Sequence, residues 1–148
     1  MFLIVDASIL FSFFNIDSAR RLLIESSAII GFKLISPDFA FDELADDKDE
    51  IQKYSKINEL EFIILFSLLE KKIESFSQDV YRKFLPKANK ISPHGKQAKD
   101  DPYFALALAL NWAIWSDEAA FKLQSSVKLL NTKELLELLK KSKSDNNF

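Results

Sequence analysis

Short, wholly apolar runs separate longer stretches of helical periodicity along this chain. Residues 2–5 form a continuous apolar, β-branched-rich run, which reads as a strand buried on both faces. Comparable runs recur at residues 32–35, 113–115 and 127–130, with a weaker one at 73–76. Between them the pattern predicts helices. Residues 8–14 form a short apolar helix or turn, and Asp17-Ser18 caps residues 19–25, with Leu22 and Leu23 on one face. Ser36 as N-cap and Pro37 at the first position open a helix carrying Phe39, Phe41 and Leu44, followed by the charged run 46–53. Asn58 opens another, with Leu60, Ile63, Ile64 and Leu68 as its stripe. Residues 78–85 make a short helix, Val80, Tyr81 and Phe84 inward, stopped at Pro86. Residues 87–99 are the one real loop, and Asp101-Pro102 then starts a helix apolar on almost every side. A short helix at 119–123 and a helix at 133–140, capped by Asn131-Thr132, complete the set, and residues 141–148 read as a frayed polar tail. Strands alternating with helices predict one α/β domain over residues 1–140. Its expected form is a three-layer α/β/α sandwich around a mostly parallel sheet of four to five strands.

Composition narrows the chemistry. The chain has 148 residues, enough for one sizeable core, and a formal net charge of −2, so no global basic field holds nucleic acid. Cysteine is absent and His94 is the single histidine, which excludes a thiolate zinc site and disfavours a Ser-His-Asp triad. Any metal is held by oxygen ligands, pointing to Mg²⁺ or Mn²⁺. Two glycines cannot build a Gly-rich phosphate loop. The first apolar run is too short for a secretory signal and the longest too short to span a bilayer, so the expected setting is cytoplasmic, with no membrane.

The acids carry the candidate chemistry. Asp6 directly follows the first strand, with no basic residue within ten positions. Glu43 lies in the helix after the second strand, Asp100 and Asp101 precede the apolar helix, and Asp117 and Glu118 follow the strand at 113–115. Strand C-termini line one edge of a parallel sheet, so these acids can converge there. Carboxylates gathered in one crevice repel one another by several kcal/mol at low effective dielectric, roughly, and a divalent cation between them removes that cost.

Four stretches carry a resemblance. They are Ile4-Val5-Asp6-Ala7-Ser8-Ile9-Leu10, Ser36-Pro37-Asp38-Phe39 with Asp42-Glu43-Leu44, Asp100-Asp101-Pro102-Tyr103-Phe104-Ala105, and Ile114-Trp115-Ser116-Asp117-Glu118. In series at these separations they resemble the PIN-domain ribonucleases, the fold of VapC toxins of prokaryotic toxin–antitoxin pairs, and especially archaeal relatives. The ending, Val127 to Thr132 and a Leu-rich helix, is similar too. The resemblance implies metal-binding acids at Asp6, Glu43 and Asp100. A fourth falls at Glu118, where the family usually has Asp, or else at Asp117. It implies substrate-orienting hydroxyls at Ser8 and Ser116, a Mg²⁺ or Mn²⁺ cofactor, an RNA substrate, a small antitoxin partner and a homodimer. Asp101, directly before Pro102, is the better N-cap, which favours Asp100 as the ligand.

Plainer readings stand beside these. Asp6 alone reads equally as a turn residue, Glu43 as one more surface acid, and Asp100 and Asp101 as helix-start acids favoured by the macrodipole. His94 is a loop histidine before it is a catalytic acid. Lys87, Lys90, Lys96 and Lys99 form a solvated cluster, of which Lys96 and Lys99 are placed to contact RNA phosphates beside an acidic site. The leading function is a metal-dependent endoribonuclease, the toxin of a toxin–antitoxin pair. The alternative is a catalytically weakened RNA- or protein-binding regulatory module of the same fold. An aspartyl-phosphate fold is disfavoured, since Ser8 occupies the position of the dehalogenase-type second Asp and no lysine follows Trp115 before Lys122.

Overall fold

A computed structural model of the chain describes residues 1–93 and 98–145. The elements run β1 (Phe2–Val5), α1 (Ala7–Phe11), α2 (Ala19–Glu25), β2 (Lys33–Pro37), α3 (Phe39–Asp46), α4 (Lys48–Ser55) and α5 (Glu59–Lys72). They continue with β3 (Glu74–Phe76), α6 (Gln78–Tyr81), α7 (Leu85–Ile91), α8 (Asp101–Leu110), β4 (Ile114–Trp115), β5 (Leu129–Leu130) and α9 (Thr132–Asp145).

The five strands form one sheet in the order β3-β2-β1-β4-β5, every pair parallel. From β1 the chain steps outward through β2 to β3, then returns to the other side of β1 and steps outward through β4 to β5. The direction reverses between β1 and β4, and the crevice beyond the carboxyl ends of that pair is where such sheets bind ligands. Backbone bonds fix the pair: the Ile4 N–H donates to Ala113 O at 2.9 Å and the Asp6 N–H to Trp115 O at 3.1 Å. Leu3, Ile4 and Val5 are fully buried, as a strand covered on both faces requires. Helices flank the sheet, and α8 buries Phe104, Ala105 and Leu106 completely.

Caps explain several boundaries. Asn58 and Glu61 form a reciprocal capping box at the start of α5, and Asn131 and Glu134 exchange the same pair of bonds at α9. Ser18 caps α2.

Other boundaries differ from the sequence expectation. Pro37 ends β2 instead of opening a helix, because Ser36 is spent on the sheet: its hydroxyl, fully buried, donates to Val5 O at 2.8 Å. Asp38 caps α3 in its place. Pro86 lies in the first turn of α7, where a missing N–H costs nothing, so helix continues to Ile91 where a loop was expected. In α2 the inward pair is Leu23 and Ile24, with Leu22 turned out, and within α6 Val80 is likewise exposed while Tyr81 is buried. The helix α9 runs past Lys140 to Asp145.

The largest reversal is α5. Leu60, Ile63, Ile64 and Leu68 face outward, and Phe62 and Leu69 face in. Apolar residues fall on every side of its middle, residues 60–69, so periodicity could not choose its face. Aromatic contacts choose it: Phe62 stacks on Phe14 at 5.1 Å, and Phe66 packs edge-on against Phe41 at 5.8 Å.

Candidate active site at the carboxyl edge of the sheet

Asp6 stands at the switch point, 4% exposed. Its extended backbone caps α1 through the carbonyl, which accepts from Ile9 N–H at 3.1 Å and Leu10 N–H at 3.2 Å; the carboxylate makes no capping bond. A turn role therefore accounts for the Asp6 backbone and leaves its side chain unexplained. Two hydroxyls meet the carboxylate on one oxygen, Oδ2: Ser8 Oγ donates at 3.0 Å and Ser116 Oγ at 2.8 Å. Ser8 is on the helix that Asp6 caps, and Ser116 is the first residue beyond β4. Together they hold the carboxylate plane from two elements. Burial pushes the Asp6 carboxyl above its ordinary value; the Ser116 and Ser8 bonds pull it down, and the Glu118 charge adds to the rise.

Glu43 projects from α3, half-buried. The Tyr103 hydroxyl donates to its Oε1 at 2.9 Å. Burial raises its proton affinity against that bond and the nearby Lys99 charge, and the negative charges of Asp47 and Asp6 raise it further. Tyr103, 1% exposed, is held protonated well above the ordinary phenol range, first by burial and then by the charges of Glu43, Asp6 and Asp100. Asp100 closes the 3-10 turn Ala98–Asp100 and occupies the cap position of α8 without a side-chain capping bond. Asp6, Glu43, Asp100 and Glu118 thus act electrostatically on one another or on a shared neighbour.

Asp101 is not the N-cap that Pro102 suggested. It is the first residue of α8, buried, with Asn89 Nδ2 donating to its Oδ2 at 2.9 Å. Asp117 and Glu118, adjacent in sequence, divide cleanly. Burial pushes Asp117 up, but Thr132 and Arg20 more than offset it and hold its carboxyl below the ordinary value. Thr132 N–H donates to its Oδ1 at 2.7 Å, and Arg20 Nε donates to its Oδ2 at 2.8 Å. The Thr132 hydroxyl also bonds Oδ2 and accepts from Trp115 Nε1 at 3.1 Å. Asp117 therefore ties the start of α9 to the end of β4. Glu118 is exposed, its N–H donating to Ser116 Oγ at 3.1 Å and its charge felt by Asp6. Lys99 is exposed within reach of Glu43; Lys96 and His94 lie outside the described residues.

In the sequence Tyr103, Arg20 and Thr132 carry no role at the site, although Thr132 reads as a helix cap. For Tyr103 a signal exists: a lone phenol in a helix otherwise built of Phe, Leu and Ala needs a polar partner when buried.

No group of three or more acids or histidines among the described residues stands close enough to form a ready metal cage. The donor chemistry does fit a hard divalent cation. Every candidate ligand is a carboxylate, Asp6 is buried, and neither Asp6 nor Glu43 is ion-paired to a lysine or arginine among the described residues. No helix among the described residues is long and apolar enough to cross a membrane.

Comparison with known proteins agrees with this architecture. A chain of the crystal structure of VapBC2 from Rickettsia felis, bound to a DNA fragment from their promoter, superposes with a TM-score of 0.66 at 13% identity, covering 88% of this chain and 98% of that one. A chain of FitAB bound to the IR36 DNA fragment gives 0.54 at 14% identity, covering 88% and 94%. At these identities the likeness is one of fold. No curated protein matches the sequence. The model of the PIN domain family matches the sequence itself, from residue 4 to residue 140, and the chain belongs to that family.

Proposed function

We propose that the protein is a metal-dependent endoribonuclease, the toxin of a toxin–antitoxin pair. The observation that carries this reading is Asp6: a buried carboxylate at the switch point, oriented by two hydroxyls, with no lysine or arginine pairing it among the described residues. Asp6, Glu43, Asp100 and Glu118 are the residues that would hold Mg²⁺ or Mn²⁺. When bound, the ion supplies an acidified water and neutralises charge developing on a phosphoryl group. The chain's own residues do the rest. Ser8 and Ser116 fix the Asp6 carboxylate, Tyr103 fixes Glu43, and Lys99, at the rim, contacts the RNA phosphates beside the scissile bond. Asp117 positions the β4–α9 junction and is not a ligand.

An antitoxin partner is supported by the outward apolar face of α5 and by the cleft of about 580 Å³ beside it, whose walls mix apolar Phe14, Ile57, Ile64 and Leu65 with charged Arg21 and Lys56. An amphipathic helix suits that groove. A second copy of the chain is the alternative occupant, giving the homodimer. Two solved structures with this fold are of VapBC2 and FitAB, each bound to a DNA fragment.

The lack of a ready cage among the described residues and the longer Glu118 side chain favour one other reading, a weakened module that binds RNA or protein without cutting. An RNA-cleavage assay with added Mn²⁺ separates the two. The wild-type chain is expected to cut, with Asp6→Asn reducing the rate by at least about 100-fold. RNA binding that is indifferent to metal and to the substitution, with no cleavage, supports the module.

A further inference from the structure

We infer that Tyr103 is a positioning residue whose hydroxyl presets Glu43 for a divalent cation. The inference rests on the metal site just proposed and adds to it a group to which the sequence motifs assign no role.

A glutamate has more rotamer freedom than an aspartate, and from α3 Glu43 must cross to an edge defined by β1 and β4. Without a restraint, ordering it on ion binding costs conformational entropy. The restraint is present. Tyr103 lies in the first part of α8, its ring packed at 1% exposure, and its hydroxyl donates to Glu43 Oε1 at 2.9 Å. A buried ring has one rotamer, so the hydroxyl is a fixed point. Bonding one carboxylate oxygen fixes the side chain and leaves Oε2 for another partner. The same helix start carries Asp100, so one rigid element sets both acids. The charges of Glu43, Asp6 and Asp100 all act on the phenol. A phenol suits this place for a chemical reason. It donates a hydrogen bond without bringing positive charge, so it orients Glu43 without competing with a cation as a lysine or arginine would.

The test is Mn²⁺ affinity of the full chain, measured by electron paramagnetic resonance of free Mn²⁺ after metal removal. Four proteins are compared: wild type, Tyr103→Phe, Glu43→Gln and the double variant. Outer partners of metal-binding carboxylates typically contribute about 10–100-fold to affinity, and Tyr103→Phe is expected to lose that much. In the Glu43→Gln background the same change is expected to alter affinity less than about twofold, because the group it positions is no longer a ligand. A packing role would lower affinity equally in both backgrounds. Equal losses, or a Tyr103→Phe protein that binds Mn²⁺ like the wild type, overturn this inference and leave the metal site standing. A wild-type chain that binds no Mn²⁺ overturns the metal site and this inference with it.

Discussion

At the scale of single residues, Asp6 is held in an environment that disfavours its charge. Its carboxyl is raised above the ordinary 3.8 by burial, and the two serine bonds only partly oppose this. The sign follows from linkage. Below about pH 3.8 the group is protonated in folded and unfolded chains alike and costs nothing. As pH rises, the unfolded chain ionises first, so the folded state loses stability until Asp6 itself ionises; above that the cost is constant. Glu43, raised from 4.5 for the same main reason, acts in the same direction. In metal-free buffer at pH 7, Asp6→Asn is therefore expected to stabilise the fold, although the same variant loses cleavage when Mn²⁺ is added. Each kcal/mol regained raises Tm by about 2–4 °C for a chain of this size. Thermal melts at pH 7 and at pH 3.5 check this: the gain appears at pH 7 and shrinks at pH 3.5. A variant that melts below the wild type at pH 7 contradicts it.

Among the elements, legibility in the sequence followed how many rules agreed. The strand at β1 was plain, because a continuous apolar run has one reading when an acid ends it. Asn58 and Asn131 announced their helices because each has its glutamate three residues on. Ser36-Pro37 misled, since a Ser-Pro pair suits a helix start and a strand end equally, and only the Val5 carbonyl across the sheet decides. In α5 the pattern held no information about orientation, and the side chains of other elements, Phe14 and Phe41, settled it. That orientation predicts opposite outcomes for neighbouring residues. Phe62→Ala, in the stacked core, costs about 3–5 kcal/mol. Ile63→Ser, 55% exposed, changes stability by no more than about 0.5 kcal/mol and weakens binding of an antitoxin helix. Urea denaturation of the two variants checks this, and a large loss for Ile63→Ser would mean that the face is covered.

For the whole molecule, the site is a consequence of strand order. Putting β1 between β2 and β4 sets Asp6 and Glu118 beyond neighbouring strand ends at one edge of the sheet, with Glu43 on the helix after β2 and Asp100 at the start of α8, although they span residues 6 to 118. The chain order of the acids was readable; which side chains of other elements each of two adjacent acids would meet was not. Asp101 meets Asn89, and Asp117 meets Arg20 and Thr132, none of which neighbours its partner in sequence. The central claim is that Asp6 and its companions form one cation site. Its most direct test is the anomalous density of a crystal soaked in Mn²⁺. A peak beside Asp6, bounded by Glu43, Asp100 and Glu118 with Asp117 still bonded to Arg20 and Thr132, is the predicted result. No peak at Asp6, or one held by Asp117 instead, contradicts the account.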